Sequence, residues 1–375
     1  MSTLTIISHT NHYISADGSI LGFGPTVTEI NHLLQIFDKI QHVAMLQNEA
    51  APLSALPYIS DRITFVPLSA LGGKKLKDKL NLVIQGPKVL KIVNKAINQA
   101  DYFQFRAPTG IGVYVIPYIV LFSKRKGWFK YAGNWNQKNA PIAYGFQRWL
   151  LKHQKRKVTI NGAWSNQAKQ CITFENPCLT EDEIKKGADV IYKKDFLSSK
   201  LTFCFVGRLE KEKGIEVLIE AFKSLNTNEK SQVNKIHIVG YSNDKTAYVN
   251  STANCGLDFI FHGHLSRNNV HNIYKDSHTI ILPSVSEGFP KVISEAMNYG
   301  CLPIVSNISS INNYIQNGEN GFLLNTVSKE NIVLMIRQIL NLEALEFHKM
   351  IKRNLIDIHK FSYDHYNSRI QTEIL

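Results

Sequence analysis

The sequence predicts an α/β protein made of two Rossmann-like domains, and three observations carry that prediction. The 375 residues are 44% hydrophobic and 19% charged, with no low-complexity tract, and beyond roughly 250–300 residues a single core stops growing and the chain divides. Strand-like apolar runs alternate with helical patterns in both halves, as expected of mostly parallel sheets covered by helices. Between the halves, Asn176-Pro177-Cys178 ends a strand-like run in turn chemistry and precedes the acidic Thr180-Glu181-Asp182-Glu183. The expected units are an N-terminal Rossmann-like domain over 1–176, a C-terminal Rossmann-like domain over 177–345, and a helical segment over 346–375 able to pack back on the N-terminal domain.

In the first half, Leu4 to Ser8 (LTIIS) reads as a buried strand, followed by a polar loop to Pro25 and a helix from Thr26 to Ile40. Further strands are predicted at Val43 to Leu46, Ile63 to Leu68, Tyr102 to Arg106, Phe129 to Ala132 and Val158 to Ile160, with helices near 84–98, 111–123 and 141–154. The second half repeats the alternation more cleanly. Leu201 to Val206 is a strand, and the helix from Gly214 to Leu225 places Ile215, Leu218, Ile219, Phe222 and Leu225 at i, i+3, i+4, i+7 spacing. Strands follow at Lys235 to Val239, Phe259 to Phe261, Thr279 to Leu282 and Leu302 to Ser306, and the last stretch reads as helical, with Phe361, Tyr363 and Tyr366. Two such domains facing each other would line a central cleft with the carboxyl ends of both sheets, where open α/β sheets bind their ligands.

Composition narrows the function classes. The five cysteines are odd in number and form no C-x-x-C pair, which fits a reducing cytoplasm without structural zinc. The start, MSTLTIISHTNHYIS, lacks the basic and apolar regions of a signal peptide. The longest apolar run, Ile111 to Phe122, is well short of the ~20 residues of a membrane span. The net charge of +13 is confined to the first half: residues 1–177 hold 21 Lys and Arg against 8 Asp and Glu, and the remainder balances at 22 against 22. Lys74, Lys75, Lys77 and Lys79 form one cluster, Lys124, Arg125 and Lys126 another, and Lys152, Lys155, Arg156 and Lys157 a third. Such a surface suits an anionic partner: membrane headgroups, a charged glycan or lipid carrier, or nucleic acid. A nucleic-acid partner is not expected, since that reading has charge alone and no recognition module.

Two segments carry chemistry. In LPSVSEGFPKVISEAMNYG (282–300), a strand ends at Leu282, a loop holds Glu287 and Gly288, Pro290 is expected at the first helical position, and Glu295 lies inside the helix. Glu287 and Glu295 therefore frame a helix N-terminus, whose free N–H groups attract anionic and hydroxyl oxygens. In FVGRLEKEKG (205–214), Gly207 lets the backbone approach a ligand, and Arg208 and Lys213 can grip a diphosphate, one as a planar fork and one as a point charge. Plainer readings exist for both. The glutamates could be surface carboxylates, and Glu210 and Glu212 could pair with the two cations in a solvated turn.

Taken in that order, FVGRLEKEKGIEVLIEAF and LPSVSEGFPKVISEAMNYGCLPIVS resemble the retaining glycosyltransferases of the large family that includes bacterial lipopolysaccharide and capsule sugar transferases and sucrose synthase. The resemblance is strong over about residues 170–340 and in outline elsewhere. It implies the two-domain GT-B fold and an E-x7-E element formed by Glu287 and Glu295. It further implies that Arg208 and Lys213 hold the donor diphosphate, that Glu287 with the amides of Gly288 and Phe289 holds the donor sugar, and that Glu295 holds the ribose. Pro290 starts the helix beside these residues, and His264 and Leu265, in His262-Gly263-His264-Leu265, match the position that contacts the base. Gly22 and Gly24, in Gly22-Phe23-Gly24, match the family's glycine loop near the donor phosphate, although a lone G-x-G is weak. The family's N-terminal histidine has no clear counterpart; His9 and His12 follow the first strand. Asn134 and Trp135 are the acceptor candidates, Trp135 by stacking on a sugar face, with core burial the competing reading.

By the same resemblance the reaction moves a sugar from a UDP- or GDP-sugar to a hydroxyl of a glycan or lipid-linked acceptor, with retention, in envelope or capsule polysaccharide synthesis. No cofactor and no metal are expected, because the two cations can serve the leaving diphosphate. The expected place is the cytoplasm, peripheral to the inner face of the membrane. A GT-B epimerase or soluble-sugar transferase and an inactive nucleotide-sugar-binding partner are the alternatives.

Overall fold

The computed structural model describes residues 2–73, 75–194, 200–242 and 245–375; Lys74 of the first basic cluster lies outside the described residues. Two compact units form, one from residues up to Asn176 together with Tyr363–Leu375 and the other from Pro177–Ser362. The helical end expected over 346–375 therefore divides. Phe347, Met350, Ile351, Ile358 and Phe361 pack into the second unit's core, whereas Tyr366 and Ile370 pack among Leu4, Ile6, Ile30, Leu33 and Trp128 of the first.

The first unit runs β1 (Thr3–Ile14), β2 (Ile20–Phe23), α1 (Gly24–Leu33), β3 (Lys39–Leu46), β4 (Ala55–Pro57), β5 (Ile63–Ser69), α2 (Leu76–Ile84), α3 (Gly86–Asn98), β6 (Tyr102–Ala107), α4 (Gly112–Phe122), β7 (Lys126–Tyr131), α5 (Ile142–Lys152), β8 (Val158–Ile160) and β9 (Cys171–Thr173). Its parallel strands lie in the order β5-β3-β1-β6-β7-β8-β9. β1 continues past a register shift between Ile7 and Asn11, and its tail pairs antiparallel with β2, which pairs with β4. The polar loop expected up to Pro25 is thus a hairpin. The helix expected over 84–98 is preceded by a separate one, because Pro87 lacks an N–H to continue α2 and instead sits in the first turn of α3.

The second unit runs α6 (Glu181–Lys193), β10 (Leu201–Val206), α7 (Ile215–Lys223), α8 (Thr227–Ser231), β11 (Val233–Val239), α9 (Lys245–Thr252), β12 (Phe259–Gly263), α10 (Arg267–Asp276), β13 (Thr279–Leu282), α11 (Lys291–Asn298), β14 (Leu302–Ser306), β15 (Phe322–Leu324), α12 (Lys329–Leu340) and α13 (Ala344–Asp357). The last α-helix, α14 (Tyr363–Arg369), belongs to the first unit. The six strands are parallel in the order β12-β11-β10-β13-β14-β15. Numbered within the unit this is 3-2-1-4-5-6, the doubly wound order, and the winding reverses between β10 and β13. A crevice must open there beyond the carboxyl ends of those two strands, since their connections leave to opposite sides.

Candidate functional site

The two motif segments are the loops that leave β10 and β13, so both empty into this switch point. Three contacts lock them together. The Val285 amide donates to Glu212 O at 2.9 Å, the Lys213 ammonium pairs with the Glu287 carboxylate, and Gly214 lies against Pro283. Gly214 has φ +76°, and a Cβ there would stand 2.3 Å from Pro283 O, so only glycine provides both the left-handed turn and the close approach. Lys213 and Glu287 are 20% and 13% exposed at their side chains. Arg208, at 71%, projects into solvent and is paired with Glu210 at 2.9 Å. The turn pairing foreseen from composition thus holds Arg208, while Lys213 reaches the other motif.

Pro290 is the N-cap of α11, one position before its expected place, and Glu295 falls in the second turn of the helix. Gly288 O accepts from Ser310 Oγ at 3.1 Å. The Phe289 ring is buried between Tyr314 and Phe361, with centroids 4.8 and 5.2 Å away, which anchors the loop from below.

Glu295 is 9% exposed and belongs to a network the motifs did not announce. Its Oε1 accepts from Arg267 Nη1 at 3.1 Å and its Oε2 from the Tyr274 hydroxyl at 3.4 Å. Arg267 also grips Glu183 bidentately, Nε to Oε1 at 2.9 Å and Nη2 to Oε2 at 2.8 Å, and donates to Cys178 O. One guanidinium therefore spans two carboxylates. Burial raises the Glu183 pKa, but the Arg267 hydrogen bonds and charge and the Thr180 amide outweigh it, and the net shift is downward. Burial, reinforced by Glu295, holds the Tyr274 hydroxyl well above the usual phenol range, so it stays a donor. Burial and the adjacent Arg267 lower His271. In the sequence Glu183 stood out only as part of the acidic stretch after the domain boundary; in the structure it also forms a capping box with Thr180. Arg267 opens a helix after β12 and nothing in its local pattern marked it.

His264 is exposed and Leu265 half-buried in the loop after β12. Beside them, His262 Nε2 lies 2.9 Å from His237 Nδ1, and His237 Nε2 lies 3.0 Å from Asp276. Gly207 packs at the end of β10, its amide donating to Val239 O at 3.0 Å.

In the first unit the structure corrects Trp135 and places the other candidates as follows. Gly22 lies in β2 and Gly24 begins α1, and both are buried. A Cβ on Gly22 would stand 2.3 Å from the His12 ring, and one on Gly24 2.7 Å from Ser54 O, so packing requires glycine at both positions. Trp135 is 4% exposed, with its ring edge-on to Tyr131 at 4.9 Å; it is a core residue and presents no face to a sugar. Asn134 is half-buried and caps its own turn, its Oδ1 accepting from the Asn136 amide at 3.0 Å.

His9 and His12 both lie within β1 and not after it. His12 is buried in a chain in which the Ser8 hydroxyl donates to His42 Nε2 (2.8 Å), His42 Nδ1–H donates to the Tyr58 oxygen (2.6 Å), and the Tyr58 hydroxyl donates to His12 Nε2 (2.9 Å). Thr10 O, which can only accept, takes the His12 Nδ1–H at 3.1 Å and so sets the direction of the whole chain. His9 is half-buried at the carboxyl end of the straight part of β1, where this sheet's winding reverses towards β6. Its Nε2–H donates to Leu71 O at 2.7 Å, and its buried Nδ1 has no hydrogen-bond partner among the described residues.

Among the described residues, no group of three His, Cys, Asp or Glu is placed to hold a metal, and no helix is long and apolar enough to cross a membrane.

Residues 190–356 match the family model described as glycosyl transferases group 1. The capsular polysaccharide biosynthesis glycosyltransferase CapM of Staphylococcus aureus is 26% identical over 197 residues, 51% of this chain and 48% of that protein. A lipopolysaccharide 1,2-N-acetylglucosaminetransferase of Salmonella typhimurium is 29% identical over 182 residues, 45% of this chain and 47% of that protein. The matched part thus spans about half the length of either relative. The crystal structure of Anabaena HepE in complex with UDP superposes with a TM-score of 0.69 over 99% of this chain and 98% of that one, at 14% identity. The match over 190–356 and the shared fold of two Rossmann-like domains together support a GT-B glycosyltransferase.

Proposed function

We propose that this protein transfers a sugar from a nucleoside diphosphate sugar to a hydroxyl of a glycan or lipid-linked acceptor, with retention of configuration, in the synthesis of a bacterial capsule or lipopolysaccharide. The observation that carries the proposal is the meeting of Lys213 and Glu287 at the switch point between β10 and β13. Arg208 and Lys213 bind the diphosphate, Glu287 with the Gly288 and Phe289 amides orients the donor sugar, Glu295 takes the ribose hydroxyls, and the His264-Leu265 backbone meets the base. Gly207 keeps the β10 loop low enough for this approach, and Pro290 ends the E-x7-E loop where α11 begins. As the bond to the sugar breaks, negative charge grows on the departing diphosphate, and cations already in place stabilise that charge without reorganisation. The UDP complex of HepE favours a UDP-sugar donor, and the names of the two relatives favour an envelope glycan acceptor. The basic first unit faces an anionic acceptor or bilayer from the cytoplasmic side.

The test is a thermal-shift panel of UDP, GDP, ADP and their common sugars, followed by nucleoside diphosphate release from the best ligand. A ligand of the native state raises its melting point. Stabilisation by one nucleotide together with slow release from its sugar supports transfer; binding without any release would make the chain a sugar-nucleotide-binding partner, and interconversion of two sugar nucleotides would make it an epimerase.

A further inference from the structure

The first unit carries a face on which large apolar side chains stand in water. Along α5, Ile142, Phe146 and Trp149 recur at i, i+4 and i+7 and are 93%, 39% and 56% exposed, while the opposite side of the same helix buries Gln147 and Leu151. The Phe146 and Trp149 rings stack at 6.3 Å. α4 packs beside α5 and ends in Leu121 and Phe122, both more than two-thirds exposed. The Arg156 guanidinium donates to Ser123 O, which ties the end of α4 to the segment following α5.

The charge around this face has one sign. Between Asp101 and Glu175 the chain holds twelve Lys and Arg and no Asp or Glu. Lys124, Arg125 and Lys126 follow Phe122, and Lys152, Lys155 and Lys157 follow Trp149, all exposed. A nucleic acid would use the cations but has no use for Ile142, Leu121 or Phe122. A second copy docking symmetrically would set the same cations against themselves. Aliphatic and aromatic side chains on one helical stripe, rimmed by Lys and Arg, match an anionic bilayer, where the apolar groups enter the acyl boundary and the cations meet lipid phosphates.

We propose that the α4–α5 face is the surface by which this protein docks on an anionic membrane. The proposal specifies the partner of the first unit and rests on the glycosyltransferase reading only for its biological purpose.

The test floats the full chain with vesicles of phosphatidylglycerol and phosphatidylcholine, and with phosphatidylcholine alone. Binding should require the anionic lipid and fall as salt rises. The triple change Ile142→Ser, Phe146→Ser, Trp149→Ser should weaken it at least about tenfold, and Lys152→Gln, Lys155→Gln and Lys157→Gln should weaken it about fivefold per charge, with melting temperatures unchanged because all six side chains are exposed. Lipids brominated near the headgroup should quench tryptophan emission in a Trp164→Phe background, which removes the half-buried Trp164, but not once Trp149→Phe is added to it, since Trp128 and Trp135 are buried. Equal binding to neutral vesicles, full binding by the Ser variant, or quenching that survives the added Trp149→Phe would each overturn the proposal. So would a dimer in sedimentation that the Ser variant abolishes, which would assign the face to a second copy. Thermal shift by UDP, GDP and ADP is read in the same samples. Its absence for all three would sink the glycosyltransferase reading and leave the vesicle result standing.

Discussion

Lys213 and Glu287 neutralise each other across the two motif loops, so a diphosphate entering the site competes with Glu287 for the ammonium. Lys213→Ala should cut nucleoside diphosphate release about 10²- to 10³-fold, roughly 3–4 kcal/mol of transition-state stabilisation, measured as kcat/KM against the native chain. Arg208→Ala should lower activity without lowering the melting point, because its exposed pair with Glu210 contributes little to stability. Arg267 acts differently. Replaced by Met, it would leave Glu183 and Glu295 close together without their shared cation, at a cost of about 1–3 kcal/mol, moderated by the guanidinium's 35% exposure. Calorimetry should show weaker UDP binding, and denaturant melts a lower midpoint. Because the Glu183 carboxyl is held below its ordinary value of 4.5, its contribution is full above pH 4.5 and is lost as pH falls through the lowered folded value. Glu183→Gln should flatten that acid limb.

At the scale of elements, Gly214 decides whether the two loops meet. Gly214→Ala should destabilise by about 1–2 kcal/mol from the left-handed backbone alone, and more from contact with Pro283. UDP affinity should fall with it, which a thermal-shift titration measures. The β1–β2 hairpin carries a pH dependence of opposite chemistry. Burial brings His12 from 6.5 to about 4, so its neutral form favours the fold fully above pH 6.5 and loses that advantage between pH 6.5 and 4; burial lowers its neighbour His42 in β3 in the same direction. Urea melts across this range should show up to about 3 kcal/mol lost through His12, and His12→Gln should shorten the slope. These two elements also mark what could be read in advance. The strands at 201–206, 279–282 and 302–306 were legible because each is a short, mostly apolar run. The candidate site was legible because its cations and carboxylates sit beside those strand ends. The hairpin was not: SADGSI is polar enough to pass for loop, and the contacts that make it a strand pair come from His42 and Tyr58, far along the chain. Arg267 escaped for the same reason, since its partners are 84 and 28 positions away.

On the scale of the whole molecule, Tyr363–Leu375 completes the first unit after the chain has built the second. Tyr366 shares Glu29 with Arg106 and Lys130, Arg369 pairs with Glu175 at 2.9 Å, and Ile370 is fully buried. Deleting 363–375 should destabilise the first unit by roughly 4–6 kcal/mol, as two large side chains leave its core, and should leave a two-step melt in which the UDP-binding step is unchanged. The ends of the second unit are stitched side by side, Cys178 N–H to Phe361 O at 2.8 Å, with a parallel bridge between Leu179 and Ser362. In its connectivity the second unit is therefore an insertion with adjoining ends, and this sets a schedule for synthesis. The first unit begins first and is completed only by a segment translated after the insertion. Without that segment Leu4, Ile30 and Trp128 lack a cover, so a released chain truncated after Ser362 should bind a chaperone through its older half while its newer half is folded.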